Sequence, residues 1–386
     1  MPRSRNFHRP TTRFAIFPGV VRPRSAKFLR DFYARKAAER TLLRRLADVV
    51  IGCAFMLWVP LRALLVVRKY RLPRSDRMRL TRIAWSRFAD PNDLVLFDIQ
   101  DADALDVYLR RFELAGVMRE VNPAGWRPDC VLNDKLRFYA QCAAHALPHP
   151  HLYAHTSAEA IAVIDLPRAG MIVAKPIADR GGQGFRHLLP QPEDTADATT
   201  FARFLTAQLD HDPRAFVVQE RIIVHSDLSD LALDALPTVR VTTMLNEAGY
   251  AEIVTSVLRL PSKRGVLVDN SKAGGLLASV DTAGRLGAAK GGKFLGEFPS
   301  HPVTGAPIGG RLIPNWDETK SLVTQAHLRA FNEYTLVGWD VGISDRGPVL
   351  IEGNSKPCAV VAQRANGSGI GATRFGDLIR LHLSQT

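Results

Sequence analysis

The 386-residue sequence is poor in cysteine. Cys53, Cys130, Cys142 and Cys358 form no CxxC pair and no zinc-type spacing. Such scattered thiols exclude a disulfide scaffold and read as reduced core residues, so a reducing compartment is expected. GxxxxGK[ST] is absent, which excludes a P-loop. Ser226 and Ser229 lack a GxSxG context, which leaves a hydrolase elbow unsupported. His145, His149, His151 and His155 lie near prolines without cysteine partners and do not read as a metal set. Internal repeats and long low-complexity tracts are also missing, which excludes solenoid and fibrous classes.

Acidic residues are absent from the first thirty positions, and this scarcity is part of a strong asymmetry. Residues 1–90 hold 22 basic and 5 acidic side chains, net +17, whereas 91–386 hold 29 and 33, net −4. The high overall charge therefore belongs to an N-terminal extension, and the body is mildly acidic. A basic extension suits an anionic membrane surface or an acidic partner. Nucleic acid is not expected, because the body shows no basic face or recognised motif. No secretory signal opens the sequence. The arginine-rich start has the composition of some organellar transit peptides, but proline and arginine break any amphipathic pattern there.

Residues 31–48 have helical composition with a basic face, and 49–67 are the most apolar run. Pro60 and Arg62 interrupt that run, leaving 13 uninterrupted residues from Val49 to Leu61. That length fits a buried or interfacial helix better than a bilayer span. From residue 91 the pattern predicts short strands at Leu94–Ile99 and Gly116–Val121, with helices over Asp103–Leu114 and Leu132–Ala146. Strands follow at 171–175, 216–223, 237–245 and 251–258, then Gly-rich loops over 262–312 and a helix over 317–334. The order is α+β with an antiparallel sheet in the second half. Domain boundaries are expected at about 90 and 165, dividing the chain into 1–90, 91–165 and 166–386, the last made of subdomains 166–222 and 223–386.

Five local patterns carry chemistry. The stretch GWDVGISDRGPVLIEGN, residues 338–354, reads as a hairpin turning at Asp345–Gly347. Centred on Arg346, it sets Asp340 opposite Glu352, and Asn354 shares the Glu352 face. Three oxygen donors in this arrangement suit Mg²⁺, which would also relieve the repulsion of facing carboxylates. The stretch IVAKPIADRGGQGF, residues 172–185, runs an apolar strand into Lys175 and a turn with Gly181, Gly182 and Gly184. Glycines allow backbone N–H groups close to phosphate oxygens, and the lysine adds a fixed positive charge. The strand ending at Gln219, Glu220 and Ile222 offers backbone groups to a base edge. Arg240, inside the apolar run PTVRVTTM, needs an anion or an ionic partner. Asn133–Asp134–Lys135 opens a helix, with Asn133 and Asp134 as N-cap candidates.

Taken in order, these pieces resemble the ATP-grasp superfamily. LVDNSKAGGLLASVD (267–281), HPVTGAPIGGRLIPNW (301–316) and VGWDVGISDRGPVLIEGN (337–354) are more specifically similar to its sugar-transfer-associated family. The resemblance spans roughly 91–380 and is most specific in the last 120 residues. It implies two α+β subdomains clasping ATP, a small α/β domain before them, and a basic helical N-terminal extension. Carried over, Lys135 and Lys175 contact the phosphates, and Gly181, Gly182 and Gly184 form the flap. Gln219, Glu220 and Ile222 hold adenine at the hinge, and Asp227 reaches the ribose. Arg240 and Lys175 act on the transferred phosphoryl group. Asp340, Glu352 and Asn354 hold one or two Mg²⁺, and Asp269, Asn270 and Lys272 form the acceptor side.

The implied activity is an ATP- and Mg²⁺-dependent carboxylate–amine ligase working through an acyl phosphate. Its small-molecule acid and amine are expected to include a sugar-linked partner in polysaccharide biosynthesis. The enzyme is expected to be cytoplasmic, at the inner membrane face, with contact through residues 31–70. The alternatives are an ATP-dependent kinase and a non-catalytic nucleotide-binding module.

Overall fold

A computed structural model describes residues 26–385 apart from 158–159, 169, 179–181, 210–211 and 270–273. The chain begins with α1 (Arg30–Ala38), α2 (Leu42–Tyr70) and α3 (Asp76–Arg87), followed by the short α4 (Pro91–Leu96) and α5 (Arg111–Val121). Thr41 caps α2, its hydroxyl accepting from the Arg44 N–H.

The apolar run at 49–67 lies inside α2, which continues through Pro60 for 29 residues in all. Proline lacks the N–H that would donate to the carbonyl four residues earlier. That carbonyl, on Met56, instead accepts from the Trp85 indole N–H at 3.0 Å. Arg62, the other interruption, pairs with Asp90 at 3.1 Å and lies over the Trp58 ring. Trp85→Phe strips Met56 of its partner and should lower stability by about 1–3 kcal/mol, read as a lower denaturant midpoint at unchanged slope.

The strands expected at 94–99 and 116–121 do not form: 94–96 and 116–121 are helical and 97–98 are a turn. Asp90 caps α4 by accepting from the Asn92 N–H, and Pro91 occupies the first helical turn. These start signals override the apolar run LVLFDI, whose length alone does not separate strand from helix. Residues 116–121 complete α5, where Glu113 reaches back to the Arg110 N–H and Phe112, Val117, Met118 and Val121 are buried. The helix expected over 103–114 is split into a 3₁₀ turn at Asp103–Val107 and the start of α5.

After α6 (Lys135–Ala144) the chain builds two antiparallel sheets. Five strands, β1 (Leu152–Thr156), β2 (Ile161–Val163), β3 (Ile172–Pro176), β4 (Arg186–Leu188) and β5 (Phe216–Glu220), lie in the order β2-β1-β5-β3-β4. Helix α7 (Ala198–Leu209) covers this sheet through Phe201, Leu205 and Leu209. The second sheet uses β6 (Thr238–Leu245), β7 (Ala251–Leu260), β8 (Leu276–Ser279), β9 (Ala289–Gly291), β10 (Glu297–Phe298), β11 (Leu336–Ser344) and β12 (Gly347–Asn354). Its order is β10-β9-β8-β7-β6-β11-β12. Helix α8 (Trp316–Ala330) packs on this sheet, and α9 (Ala359–Asn366) and α10 (Arg374–Ser384) end the chain.

The N-terminal helices are built into the body. Phe55, Val59, Ala63 and Val66 of α2 share one buried cluster with Phe112 of α5, Met244 of β6 and Phe375, Leu378 and Ile379 of α10.

Candidate active site

The site grows from one row of residues across the second sheet. Antiparallel register sets Glu352 of β12 opposite Asp340 of β11, and Asp340 opposite Arg240 of β6. Directly paired residues share a face, so two carboxylates and a guanidinium stand side by side. The turn that makes this pairing holds two residues, Asp345 and Arg346, between Ser344 and Gly347. A two-residue turn alone would shift the register by one. A β-bulge between Asp340 and Val341, with Ile351 as the extra residue, restores the Asp340–Glu352 pair.

The sequence reading missed a second guanidinium. Arg259 lies on β7, where it pairs in register with Thr238, two residues from Arg240 on β6. Its Nη2 is 3.0 Å from Asp340 Oδ2 and 3.3 Å from Asp269 Oδ1. Arg240 also grips Asp340, with Nη2 at 3.0 Å from Oδ2. Burial pushes the Asp340 carboxyl up, but Arg240 and Arg259 outweigh it and hold it well below the usual carboxylate range. The clue to Arg259 was the one that pointed to Arg240: a charge inside an apolar strand, here AEIVTSVLRL.

Lys175 ends β3 of the first sheet and faces the same cleft as Lys135 at the start of α6. Asp134 caps α6 by accepting from the Arg137 N–H, and the Lys135 N–H donates to Ile177 O at 3.2 Å, so the cap fixes where the lysine starts. Lys135 Nζ is 3.8 Å from Glu352 Oε1. Burial and the Lys135 ammonium bring the Lys175 pKa down to about 8, against the pull of Glu352, Asp340 and Asp269. Two ammonium groups that disfavour one another inside a cleft make a site for a polyanion.

The cleft between the sheets has a volume of about 490 Å³. It brings together Lys135, Lys175, Gly182, Gln219, Glu220, Ile222, Arg240, Asp269, Asp340, Glu352 and Asn354. Their detailed settings differ from the expectation at several points. Gln219 is only 2% exposed and accepts from the Tyr139 hydroxyl at 2.9 Å, so its amide belongs to the core. The Glu220 carboxylate pairs with Arg346 of the hairpin turn. Ile222, Ile223 and Val224, on the segment leaving β5, supply the apolar wall at that end. Asp269 accepts from the Thr238 N–H and hydroxyl and braces Arg259, a buried structural duty beside the cleft.

Asp227 stands apart. It sits on a 3₁₀ turn with its side chain open to solvent and does not line the cleft. Asp234 does line it and accepts from the Gly265 N–H. Lys356 and Cys358, just beyond β12, are further lining residues that the sequence reading did not single out. Gly181, Asn270 and Lys272 lie outside the described residues.

Gly182 and Gly184 both have positive φ, +72° and +75°. A methyl group on Gly182 would come within 2.6 Å of Val268 Cγ1, on the loop across the cleft mouth, so only glycine allows this close approach. Gly184 instead packs against the Arg214 guanidinium, behind the cleft. Gly182→Ala adds left-handed strain of about 1–2 kcal/mol and forces the turn away from Val268, so the melting temperature should fall by a few degrees and the Kd for ATP should rise up to roughly tenfold in a titration.

The donor set fits a nucleoside triphosphate and a hard cation. The lining combines apolar side chains, Ile222, Ile223 and Val224 among them, with the cationic Lys135, Lys175, Arg240 and Arg259. Asn354 Nδ2 donates to Gly338 O at 3.3 Å, and the Asn354 carbonyl oxygen joins the Glu352 and Asp340 oxygens on the same sheet face. Among the described residues no group of three or more His, Cys, Asp and Glu forms a ready cluster for a metal. The cation would therefore depend on phosphate oxygens as well, which is the usual habit of Mg²⁺.

Comparison with known proteins places the chain in a family. Residues 118–375 match the model of a family described as sugar-transfer associated ATP-grasp. Among solved structures, a Bacillus anthracis D-alanine–D-alanine ligase aligns at 13% identity and a TM-score of 0.36, covering 66% of this chain and 68% of that one. D-alanyl-alanine synthetase A from Vibrio cholerae aligns at 10% identity and a TM-score of 0.39, covering 67% and 66%. An L-amino acid ligase from Bacillus licheniformis aligns at 12% identity and a TM-score of 0.38, covering 65% of this chain and 50% of that one. No curated protein matches the sequence. The family match extends over more than half of the chain. The chain belongs to the sugar-transfer-associated ATP-grasp family.

Proposed function

We propose that the protein is an ATP- and Mg²⁺-dependent carboxylate–amine ligase that joins an amino acid to a sugar or glycan precursor through an acyl phosphate. The observation that carries this reading is the convergence of Lys135 and Lys175 with the row Glu352–Asp340–Arg240 in one cleft. A substrate carboxylate oxygen attacks the γ-phosphorus, the bond to the bridging oxygen breaks, and ADP leaves. The amine nitrogen then attacks the acyl carbon, the carbon–oxygen bond to phosphate breaks, and the nitrogen loses a proton as the amide forms.

Lys135 and Lys175 hold the phosphate chain. Arg240 and Arg259, both anchored on Asp340, meet the negative charge that builds on the transferred phosphoryl group and the acyl oxygens. Glu352, Asn354 and Asp340 would hold Mg²⁺, which would supply charge neutralisation to the phosphate oxygens. Ile222, Ile223 and Val224 take the base, and Asp234 replaces Asp227 as the ribose contact. The backbone at Gly182 comes close to Val268, and closure there would keep water from the acyl phosphate.

The same reading has a cytoplasmic enzyme acting at the inner face of a membrane on polysaccharide intermediates, touching it through residues 31–70. The basic composition of 1–90 supports this. A carboxylate-by-amine screen for Mg²⁺-dependent ADP release tests the chemistry. Release that needs both an acid and an amine supports a ligase. A stable phosphorylated product formed without any amine makes the protein a kinase, and ATP binding without release for any pair makes it a binding module.

A further inference from the structure

Helix α2 is the one helix among the described residues that is long and apolar enough to cross a bilayer. Its two faces are unlike. Phe55, Val59, Ala63, Val66 and Val67 point into the core. Leu42, Leu46, Val50, Leu57, Leu61 and Leu65, spaced four or seven apart on the opposite face, are exposed, Leu57 by 77%. At 1.5 Å per residue this outward stripe is about 35 Å long.

We propose that α2 lies in the plane of an anionic lipid surface, with the Leu42–Leu65 stripe in the interface and the catalytic body above it. This rests on the membrane part of the reading above and commits it to one helix, one face and one orientation. The stripe is bounded by cations: Arg44 and Arg45 at its start, and Arg68, Lys69, Arg71, Arg74 and Arg77 beyond its end. Residues 42–82 contain ten basic and two acidic side chains. The two acids are already paired, Asp48 with Arg40 and Asp76 with Arg79 at 3.2 Å. An apolar ridge framed by arginines matches the boundary between acyl chains and anionic headgroups. A second copy seated on the ridge would set ten basic side chains against ten.

A crossing orientation conflicts with the packing. The inner face from Phe55 to Val67 is fixed to α3, α5 and α10. Arg62 is tied to Asp90 at the middle of that face, so crossing would carry this ion pair and the attached body into hydrocarbon.

The test uses the full-length chain with Cys53 and Cys358 replaced by serine and a fluorophore on Leu42→Cys, Leu57→Cys or Leu65→Cys. The probe surface is vesicles of phosphatidylcholine with about one quarter phosphatidylglycerol. All three labels should shift to the blue on binding and be quenched at one shallow depth, and high salt should weaken binding. Leu57→Glu together with Leu61→Glu should weaken it on the order of a hundredfold with unchanged ADP release in solution, which separates this result from any failure of the ligase reading. A deep label at position 57 between shallow ones at 42 and 65 would mean a span and overturn the proposal. Labels indifferent to vesicles would overturn it as well, whether they report self-association that rises with protein concentration, an acidic protein partner or another part of the chain on the ridge.

Discussion

Glu352→Gln should lower the rate of Mg²⁺-dependent ADP release about a hundredfold to a thousandfold while the protein stays folded. The carboxylate stands in the sheet row beside Asp340, and Asp340 is already clamped by Arg240 and Arg259. Glu352 is thus the carboxylate of the pair whose contacts leave it most able to meet a cation, its nearest ionic partner being Lys135 at 3.8 Å. The amide keeps the size and one oxygen but removes the charge. Its side chain is 30% exposed to the cleft, so the melting temperature should barely move. Steady-state ADP release and a thermal scan on the same preparation check both halves. A variant that folds and turns over ATP at the normal rate would remove Glu352 from the metal set.

The second large effect concerns Lys175 and pH. In the free protein its pKa is held at about 8, below the ordinary lysine value, by burial and by Lys135. A bound triphosphate favours the charged form and raises that pKa. Below pH 8 the free enzyme already carries the proton, and binding is insensitive to pH. Above it, binding must first restore the proton, so Kd for ATP should rise with pH, at most about tenfold per unit. Titrations at pH 7, 8 and 9 in buffers of different ionisation enthalpy should show proton uptake growing towards one per ATP. Lys175→Met should weaken binding roughly 10- to 150-fold at neutral pH and flatten this dependence. A Kd that stays constant over that range in the wild type would mean that Lys175 does not face phosphate.

The sheet face was readable from the sequence because its period is two and both flanks of the turn are apolar. Asp340 and Glu352 do pair, yet the reading centred the turn on Arg346 and not between Asp345 and Arg346, and the bulge at Ile351 made up that one-step difference in register. Backbone irregularities of that kind leave little trace in residue order. Arg259 was within reach of the same argument that found Arg240, since each is a cation inside an apolar alternation. Asp227 was placed by its offset from the Gln219–Glu220 hinge, and such offsets are unreliable where the chain crosses between sheets in irregular turns.

The continuity of helix α2 through Pro60 was missed for a different reason. Pro60 reads locally as a break, but the carbonyl it abandons is satisfied by Trp85, distant in sequence. The segments 94–99 and 116–121 turned on caps at Asp90 and Arg110 rather than on their own composition.

The central claim is that Lys135, Lys175, Arg240 and the Glu352 row enclose one nucleoside triphosphate. A crystal structure with Mg²⁺ and a non-hydrolysable ATP analogue tests it most directly. The account predicts phosphate density between Lys175 and Glu352, with the base against Ile222–Val224. A nucleotide bound elsewhere on the molecule, with the space between those two residues filled by solvent alone, would contradict it.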